Sequence, residues 1–299
     1  MGRGFEPHGA HVRDLLQLHE SGDYLTHEKL WIASLRSREF AYRNGYYLTT
    51  PGRWRGLEWE PILDSGEQRG VLVVGHSDLT VSRELVERIM ESTNVKLVFA
   101  SNLHEDAAEL PQVNDLPLGI PNDEQHSKTH IVQSDARLLK KAWRRARPPI
   151  NPGEVMLYAN FSIRNNPPER TAAWDALENA PWVLRGKFEL SKRGRLQDLI
   201  AMRQCGLVVC PPGGGMDTHR FWEALTVGAI PVTTHSDHSA RVARSLELPV
   251  ITVESWQKLR RRDWLLDQWK IVTEQPWDYS PLTSSFWLHK FSSSLRYLT

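Results

Sequence analysis

Short apolar runs alternate with helix-like segments through the second half of the chain, and this pattern predicts an α/β fold. The runs that predict buried strands lie at 155–162, 182–188, 207–210, 230–233 and 250–253. The segments that predict helices lie at 168–179, 196–203, 217–227 and 239–246, and a further helix starts at 255. Strands that alternate with helices in this way favour a doubly wound domain of about five parallel strands.

The first half shows the same alternation less regularly. Helical spacing predicts a short amphipathic helix at 9–22. The side chains expected on its inward face are Val12, Leu15, Leu16 and Leu18. Thr26 is a suitable N-cap for a longer helix that extends to about residue 44, and 46–49 is strand-like. The segments 71–74, 82–92 and 95–100 then predict strand, helix and strand, which is the βαβ unit of a parallel sheet.

A basic helix and a proline-rich linker separate the two halves. The predicted helix at 134–147 has a charged face, which is typically solvated, although it is also suited to steering an anionic donor or acceptor. The linker at 148–153 predicts a boundary between an N-terminal domain, 1–148, and a C-terminal domain, 154–299. The chain ends in another predicted helix, at 282–299, that is rich in aromatic residues.

The segment 206–233 carries the most specific candidate site. A predicted strand ends at a breaker run that contains Gly213, Gly214 and Gly215, and a helix follows that Asp217 or Thr218 caps. Glycines let a ligand approach the backbone, and the first N–H groups of a helix attract anions. The sequence therefore predicts a phosphate or diphosphate site at this loop.

The helix after the glycine loop has two unlike faces. His219, Arg220 and Glu223 fall within an arc of roughly 100°, whereas Phe221 and Trp222 lie on the other side. This spacing predicts that an imidazole, a guanidinium and a carboxylate lie near the bound phosphate. An ordinary solvated face is the alternative, because charged stripes are common on helices.

The glycine loop and its helix resemble the donor-binding segment of exostosin-like glycosyltransferases, whose pattern is close to P-P-G-x-G-x-D-x-H-R-x-W-E-A-L followed by G-x-I-P-V. The matching residues are Pro211, Pro212, Gly213, Gly215, Asp217, His219, Arg220, Trp222, Glu223, Ala224, Leu225, Gly228, Ile230 and Pro231. A second stretch, 157–170, is also similar to this family, and weaker similarity lies at 75–78 and 116–120. The resemblance covers mainly 155–233.

The resemblance implies a GT-B-like fold, in which two Rossmann-like domains with parallel sheets face each other and the terminal helix crosses back onto the first domain. It implies a metal-independent, inverting transfer of a sugar from a nucleotide-sugar donor, often a UDP-sugar, to a saccharide or glycan hydroxyl. Such an enzyme would belong to polysaccharide biosynthesis. No cofactor or metal is expected, because Arg220 and the loop amides would stabilise the departing nucleoside diphosphate.

Further donor contacts are predicted from residue type and position. Arg164 and Arg170 follow a predicted strand end, and a guanidinium fork matches phosphate oxygens. Glu223 is interpreted as the acceptor of the ribose hydroxyl groups, and His219 as a contact to the donor sugar or a phosphate. The hypothesis depends on an open loop corner and on a Glu223 carboxylate that faces the cleft. Asp217, His219 and Glu223 form an unconvincing metal set, because Asp217 does not share the helical face of Glu223.

The catalytic base is expected in the first half. His76 and Asp78 follow the predicted strand 71–74, and ligands of open parallel sheets bind at the carboxyl ends of strands. Either side chain is suited to taking the proton from an acceptor hydroxyl. The alternative for Asp78 is that it only caps the next helix or turn.

Composition and charge restrict the classes of partner, compartment and function that fit the chain. The net charge of +1 gives no overall field that would attract nucleic acid, and the two cysteines, Cys205 and Cys210, exclude a disulfide framework. The absence of a long apolar run and of an N-terminal signal pattern predicts a cytoplasmic protein, and leaves a peripheral membrane contact open. The main alternative is a non-catalytic nucleotide- or sugar-binding protein of the same fold. A different α/β enzyme with a phosphorylated substrate is disfavoured, because its common glycine and nucleophile motifs are missing.

Overall fold

Nine parallel strands form two sheets in the computed structural model, which describes residues 11–34, 40–44, 70–75, 80–121, 135–187 and 189–295. The strands are β1 (Phe40–Asn44), β2 (Val71–Gly75), β3 (Leu97–Ala100), β4 (Val113–Asp115), β5 (Met156–Ala159), β6 (Val183–Arg185), β7 (Gly206–Val209), β8 (Ile230–Thr234) and β9 (Ile251–Val253). The first four form one sheet in the order β1-β2-β3-β4, and the other five form the second. The protein is therefore an α/β protein with two parallel sheets.

The helices flank these sheets. They are α1 (His11–Ser21), α2 (His27–Ser34), α3 (Arg83–Ser92), α4 (Glu105–Ala108), α5 (Ala136–Arg145), α6 (Pro167–Ala176), α7 (Lys192–Cys205), α8 (His219–Thr226), α9 (His238–Ser245), α10 (Arg262–Thr273) and α11 (Ser284–Leu295). Short 3-10 turns occur at Pro152–Glu154, Ile163–Asn165, Trp256–Arg260 and Ser280–Leu282. In the described part of the chain, no helix combines the length and apolar character needed to cross a bilayer.

The second sheet has the strand order β6-β5-β7-β8-β9, which is the 2-1-3-4-5 order of flavodoxin-like folds. The chain moves from β5 to β6 on one side and then crosses to β7 on the other side of β5. Loops that leave neighbouring strands in opposite directions open a crevice at the carboxyl ends of these strands. This topological switch point lies between β5 and β7.

Helices cover both faces of each sheet, so successive strand residues enter different hydrophobic clusters. Along β2, Val71 and Val73 pack with α2 and α11, whereas Leu72 and Val74 pack with α3. α11 contacts this first sheet through Trp287 and Phe291, whose ring centroids lie 6.3 and 4.8 Å from that of Phe99. The final helix of the chain is thus part of the core of the first half.

Two predictions for the N-terminal region are wrong. The helix expected to extend to residue 44 ends at Ser34, and β1 pairs with β2 from Phe40 to Asn44. Pairing with a buried neighbour favours the extended form of this aromatic-containing segment over its helical spacing. Leu16, expected inside, is 42% exposed, whereas Leu15 and Leu18 are buried. The strand predicted at 46–49 lies outside the described residues.

The predicted boundary at 148–154 separates the two sheets, but not all of the helices. α1 and α5 precede the boundary, and their apolar residues Leu15, Leu18 and Leu139 share a cluster with Val208 of β7. Arg203 of α7 also donates to the Ala146 carbonyl just after α5 (2.9 Å). The core around the second sheet therefore includes segments from the N-terminal side of the linker.

His19 of α1 is a buried, neutral part of this packing. Its Nε2 donates to the Thr226 carbonyl (2.9 Å), so its Nδ1 accepts from the Tyr24 hydroxyl (2.8 Å). Burial, together with the charges of Arg203 and Lys140, lowers the pKa of His19 from 6.5 to about 4. The folded pKa lies below the unfolded one, so the stabilising effect of neutral His19 is present above pH 6.5 and is lost as the pH falls towards 4.

This linkage predicts the behaviour of a His19→Gln variant. Glutamine does not titrate, so the free energy of unfolding of the variant should be lower than that of the wild type at pH 7. The difference should shrink by about 2 kcal/mol at pH 5, because the wild type must then keep an imidazole unprotonated. Urea unfolding of both proteins at the two pH values measures this change. An equal difference at both pH values would show that His19 does not titrate as described.

Candidate functional site

The glycine loop connects β7 to α8 at the switch point of the second sheet, where it was predicted. Arg170 of α6 holds it in place: Nε donates to the Pro212 carbonyl (2.8 Å), and Nη1 donates to the Ser162 carbonyl (2.8 Å). A third, longer bond runs from Nη2 to the Pro211 carbonyl (3.4 Å). Arg170 therefore joins the loops that follow β5 and β7, and its predicted role as a diphosphate ligand is corrected to a structural one.

Gly213 of this loop serves close packing. The described glycines with positive φ are Gly22, Gly119, Gly206 and Gly228, all outside the loop. A Cβ on Gly213 would lie 3.1 Å from Arg170 Nη2 and 3.3 Å from Thr218 Cγ2. Gly213 thus lets the guanidinium approach, while Gly214 is exposed and Gly215 is buried.

Asp217 is a buried structural link and not a ligand contact. Its carboxylate accepts hydrogen bonds from the Thr218 and Leu118 N–H groups, the Trp222 indole and the Ser239 hydroxyl, at 2.7 to 2.8 Å. Its own N–H donates to Asn102 Oδ1 (2.7 Å). Asp217 therefore connects the segments that follow β3 and β4 to α8 and α9, and its predicted donor-binding role is corrected.

His219 extends the same connection. Its Nδ1 lies 2.8 Å from the carbonyl oxygen of Gly119, which follows β4. Thr218, the N-cap of α8, makes no side-chain capping bond, although the side chain of Asp217 accepts from the Thr218 N–H. The start of α8 thus lies where segments from the carboxyl ends of both sheets meet, and part of the His219 imidazole is directed at the protein backbone.

A buried ionic network lies beneath the loop. Asp198 of α7 accepts from the Tyr158 hydroxyl (2.6 Å) and from Asn160 Nδ2 (2.8 Å), both at the carboxyl end of β5. Arg195 donates to Asp198 Oδ2 (2.9 Å) and also to Glu223 Oε1. Burial disfavours the ionised carboxylate, but Arg220 and Arg195 outweigh it and lower the pKa of Asp198.

Glu223 belongs to this network, which contradicts its predicted position. The residue is 4% exposed, and its carboxylate pairs with the guanidinium of Arg195, a residue that the sequence analysis did not single out. A carboxylate paired inside the protein does not present both oxygens to ribose hydroxyl groups. The ribose-binding prediction for Glu223 is therefore corrected to a structural ion pair.

Arg220 differs from the other predicted contacts because its guanidinium keeps unused hydrogen-bonding capacity. Nη2 lies 3.6 Å from Asp198 Oδ2, and the side chain is 22% exposed. Within the described part of the chain, Nη1 is buried without any partner. Burial opposes the charge of Arg220, but Asp198 and Glu223 outweigh it and raise the pKa. A charged guanidinium with a buried donor that no described protein group accepts is suited to binding an anion.

Of the remaining side chains predicted to contact the donor or the acceptor, the structure describes only Arg164. Arg164 is exposed in the turn after β5. His76 and Asp78 lie outside the described residues, so the structure does not place either candidate base. No cluster of three or more His, Cys, Asp or Glu side chains suited to a metal ion occurs among the residues that the structure describes.

Sequence reasoning missed the inner layer of the site. Arg195 and Asp198 are three residues apart on α7, a spacing that places side chains on one helical face. That spacing was available as a signal, but it did not indicate that the pair is buried or that Glu223 completes it. Compared with known proteins, the chain matches no family model and no curated protein, so the exostosin-like resemblance stays a prediction drawn from its own residues.

Proposed function

We propose that this protein is a glycosyltransferase of GT-B type that binds a nucleotide sugar, with UDP-sugars as the first candidates, at the carboxyl ends of β5 and β7. The donor diphosphate would lie beside Arg220 and the start of α8, and a saccharide or glycan hydroxyl would approach from the first half. The observation that carries the proposal is the guanidinium of Arg220, whose buried Nη1 lies at the switch point and has no partner among the residues that the structure describes.

The charge around Arg220 supports an anionic ligand. Arg195 and Arg220 pair with the carboxylates of Asp198 and Glu223, and the charge of Arg170 also acts on Arg220. The helix dipole of α8 adds partial positive charge at its start. A diphosphate that binds here would accept a hydrogen bond from the Nη1 donor of Arg220, for which no described protein group is an acceptor.

Contacts between the halves support a shared crevice. Asn102, which follows β3, and Gly119, which follows β4, contact Asp217 and His219 at the start of α8. Thr80, near the carboxyl end of β2, also lies 3.5 Å from Met216 of the glycine loop. Because these contacts all involve segments beyond strand ends, an acceptor bound by the first sheet would be close to a donor bound by the second.

In the proposed reaction, the acceptor oxygen attacks the anomeric carbon as the bond from that carbon to the phosphate oxygen breaks. The electron pair of the broken bond leaves with the nucleoside diphosphate, where Arg220 and the α8 amides would stabilise the new charge. The acceptor proton passes to a base, for which His76 and Asp78 remain the candidates. Because the acceptor oxygen attacks the face of the anomeric carbon opposite the leaving group, the configuration at that carbon is inverted.

Nucleotide binding by an Arg220→Ala variant tests this proposal. Thermal-shift screening of the wild type against UDP, GDP, CMP and dTDP should identify at least one ligand. Calorimetry should then show an affinity about ten- to a hundredfold lower in Arg220→Ala, because a charge-assisted hydrogen bond contributes about 1.5–3 kcal/mol. Arg220→Lys should fall between the two, because it keeps the charge without the planar fork.

Arg193→Ala is the matched control. Arg193 is an exposed arginine in the first turn of α7 and does not belong to the ionic network. Its replacement by alanine should leave nucleotide affinity unchanged. Wild-type protein that binds none of the nucleotides would contradict the proposal. An Arg220→Ala variant with wild-type affinity would show that the anion site is elsewhere.

A further inference from the structure

An apolar cleft lies at the amino ends of β7 and β8, whereas the candidate site lies at their carboxyl ends. Its lining includes Gly206 and Ile230, the first residues of these strands, and the side chains of Trp143, Trp269 and Trp277. The cleft has a volume of about 80 Å³. One water molecule needs about 10–15 Å³ of such space, so the cleft has room for roughly five to eight non-hydrogen atoms of a ligand.

The walls of the cleft offer mainly carbon atoms to a ligand. Among the described residues that line it, none is Asp or Glu. The indole N–H of Trp277 donates to the Val272 carbonyl (2.7 Å), and the Thr273 hydroxyl donates to the Lys270 carbonyl (3.1 Å). Because these polar groups are satisfied within the protein, the lining is suited to an aromatic ring or a short alkyl chain.

Arg203 is the charged residue in this lining, and the protein fixes its orientation. It lies in the last turn of α7 and is 6% exposed. Nε donates to the Ala146 carbonyl (2.9 Å) and Nη1 to the Val227 carbonyl (2.6 Å), at the C-caps of α5 and α8. The guanidinium carbon lies 3.5 Å from the centroid of a Trp143 ring. Helix C-termini carry partial negative charge, so these bonds favour the charged guanidinium and hold it in one plane.

These bonds leave one nitrogen of Arg203 available to a ligand. Among the described groups, Nη2 has no hydrogen-bond acceptor and no carboxylate pairs with the side chain. Burial lowers the pKa of Arg203 from 12.5 to about 10, so the guanidinium is still charged at neutral pH. A charged donor that is already oriented beside apolar walls is suited to an anion that also carries an apolar group.

We propose that this cleft binds a small hydrophobic carboxylate, with its carboxylate at Nη2 of Arg203 and its aromatic or short alkyl part against the tryptophans. A neutral apolar ligand would leave the Nη2 donor without an acceptor, and an inorganic anion would leave the tryptophan walls uncovered. The proposed ligand satisfies both parts of the lining. The proposal concerns a site separate from Arg220 and does not depend on the glycosyltransferase activity.

Calorimetry of the full chain with benzoate at pH 7 tests the proposal, because the six-carbon ring of benzoate fits the estimated space. Benzoate should bind with a dissociation constant of about 1 mM or lower. Benzyl alcohol keeps the ring but not the charge, and it should bind at least about tenfold more weakly. Acetate keeps the charge but not the ring, and it should show no measurable binding.

Two variants test the position of the ligand. Arg203→Met should lower benzoate affinity by about tenfold or more, because a charge-assisted hydrogen bond is lost. This variant also loses the two contacts to helix ends, so Thr273→Phe provides an independent test. Thr273 lines the cleft and is half-buried, and a phenyl ring there should compete with benzoate for the same space. Thr171→Phe is the matched control, because Thr171 is an exposed residue of α6 that does not line the cleft and its variant should bind benzoate like the wild type.

Arg220→Ala distinguishes this cleft from the candidate site. Its affinity for benzoate should equal that of the wild type, and a loss of binding in this variant would place the carboxylate at the glycine loop and overturn the proposal. Wild-type protein that does not bind benzoate would also overturn it. So would wild-type affinity in Thr273→Phe, whatever the behaviour of Arg203→Met. Equal affinities for benzoate and benzyl alcohol would show that Arg203 does not select an anion.

Discussion

Replacing Asp217 by alanine is expected to lower the free energy of unfolding by about 3–5 kcal/mol. The substitution leaves four hydrogen-bond donors without their acceptor, and three of them belong to Leu118, Trp222 and Ser239, in different parts of the chain. Each buried donor that loses its partner costs about 1–3 kcal/mol. Urea unfolding of wild type and variant measures the loss. A change below about 1 kcal/mol would contradict the linking role of Asp217.

An Asp217→Asn variant distinguishes the contribution of the hydrogen bonds to stability from the contribution of the charge. Burial raises the pKa of Asp217 from 3.8 to about 6, so the carboxyl group binds a proton more readily in the folded protein than in the unfolded one. Its contribution to stability is therefore largest at low pH and declines as the pH rises through about 6. Asparagine does not titrate. The deficit of this variant relative to the wild type should thus be smaller at pH 7 than at pH 4.5.

Replacing Arg195 by methionine is expected to lower the free energy of unfolding by about 3–5 kcal/mol. Arg195 is 7% exposed and pairs with both Asp198 and Glu223. Methionine fills much of the same space, but it removes positive charge that compensates two buried carboxylates. Chemical unfolding followed by circular dichroism measures the effect.

The double variant Arg195→Met/Glu223→Gln identifies the source of that effect. Glutamine removes one of the carboxylates that the first substitution leaves unpaired, so the double variant should be more stable than Arg195→Met alone. Glu223→Gln alone should destabilise the protein, with little effect on nucleotide affinity. If the two substitutions simply add, the residues are not coupled as their ion pair implies.

The sequence predicted the central strands β5, β7 and β8 of the second sheet well because these strands are largely buried, whereas the edge strand β6 is mostly exposed and shorter than predicted. β7 and β8 lie within one residue of the predicted bounds. The segment after Thr26 was predicted poorly because local helical spacing does not record that Phe40–Asn44 pairs with Val71–Gly75. A strand whose partner is distant in the chain is selected by tertiary pairing, which local periodicity does not encode.

The sequence predicted the location of the candidate site, but it predicted the roles of the site residues only in part. Glycine loop, strand end and helix start appear where the motif implied. However, motif chemistry alone does not distinguish a ligand contact from a buried link. Asp217 binds Leu118, which lies 99 residues away, and Glu223 pairs with Arg195, 28 residues away. These partners satisfy two polar groups that the sequence predicted to contact a ligand, whereas Arg220 keeps a donor that no group in the described segments accepts.

The glycosyltransferase hypothesis was made to depend on a Glu223 carboxylate that faces the cleft, and the buried pair of Glu223 with Arg195 contradicts that condition. The proposal therefore rests on Arg220 at the start of α8. Donor recognition no longer rests on Glu223, and the carboxylates of the network instead orient Arg195 and Arg220. A preorganised guanidinium at a strand end is suited to a diphosphate that gains charge as it leaves. The proposal therefore predicts a larger effect of Arg220 on turnover than on ground-state binding.

Release of nucleoside diphosphate from nucleotide sugars tests the central claim most directly. The wild type should release the nucleotide from at least one UDP-, GDP- or dTDP-sugar when supplied with saccharide acceptors, and slowly with water alone. Arg220→Ala should reduce this rate by more than a hundredfold, whereas Arg193→Ala should keep it. Nucleotide binding without any turnover would favour the non-catalytic alternative, and turnover unchanged in Arg220→Ala would contradict the proposed site.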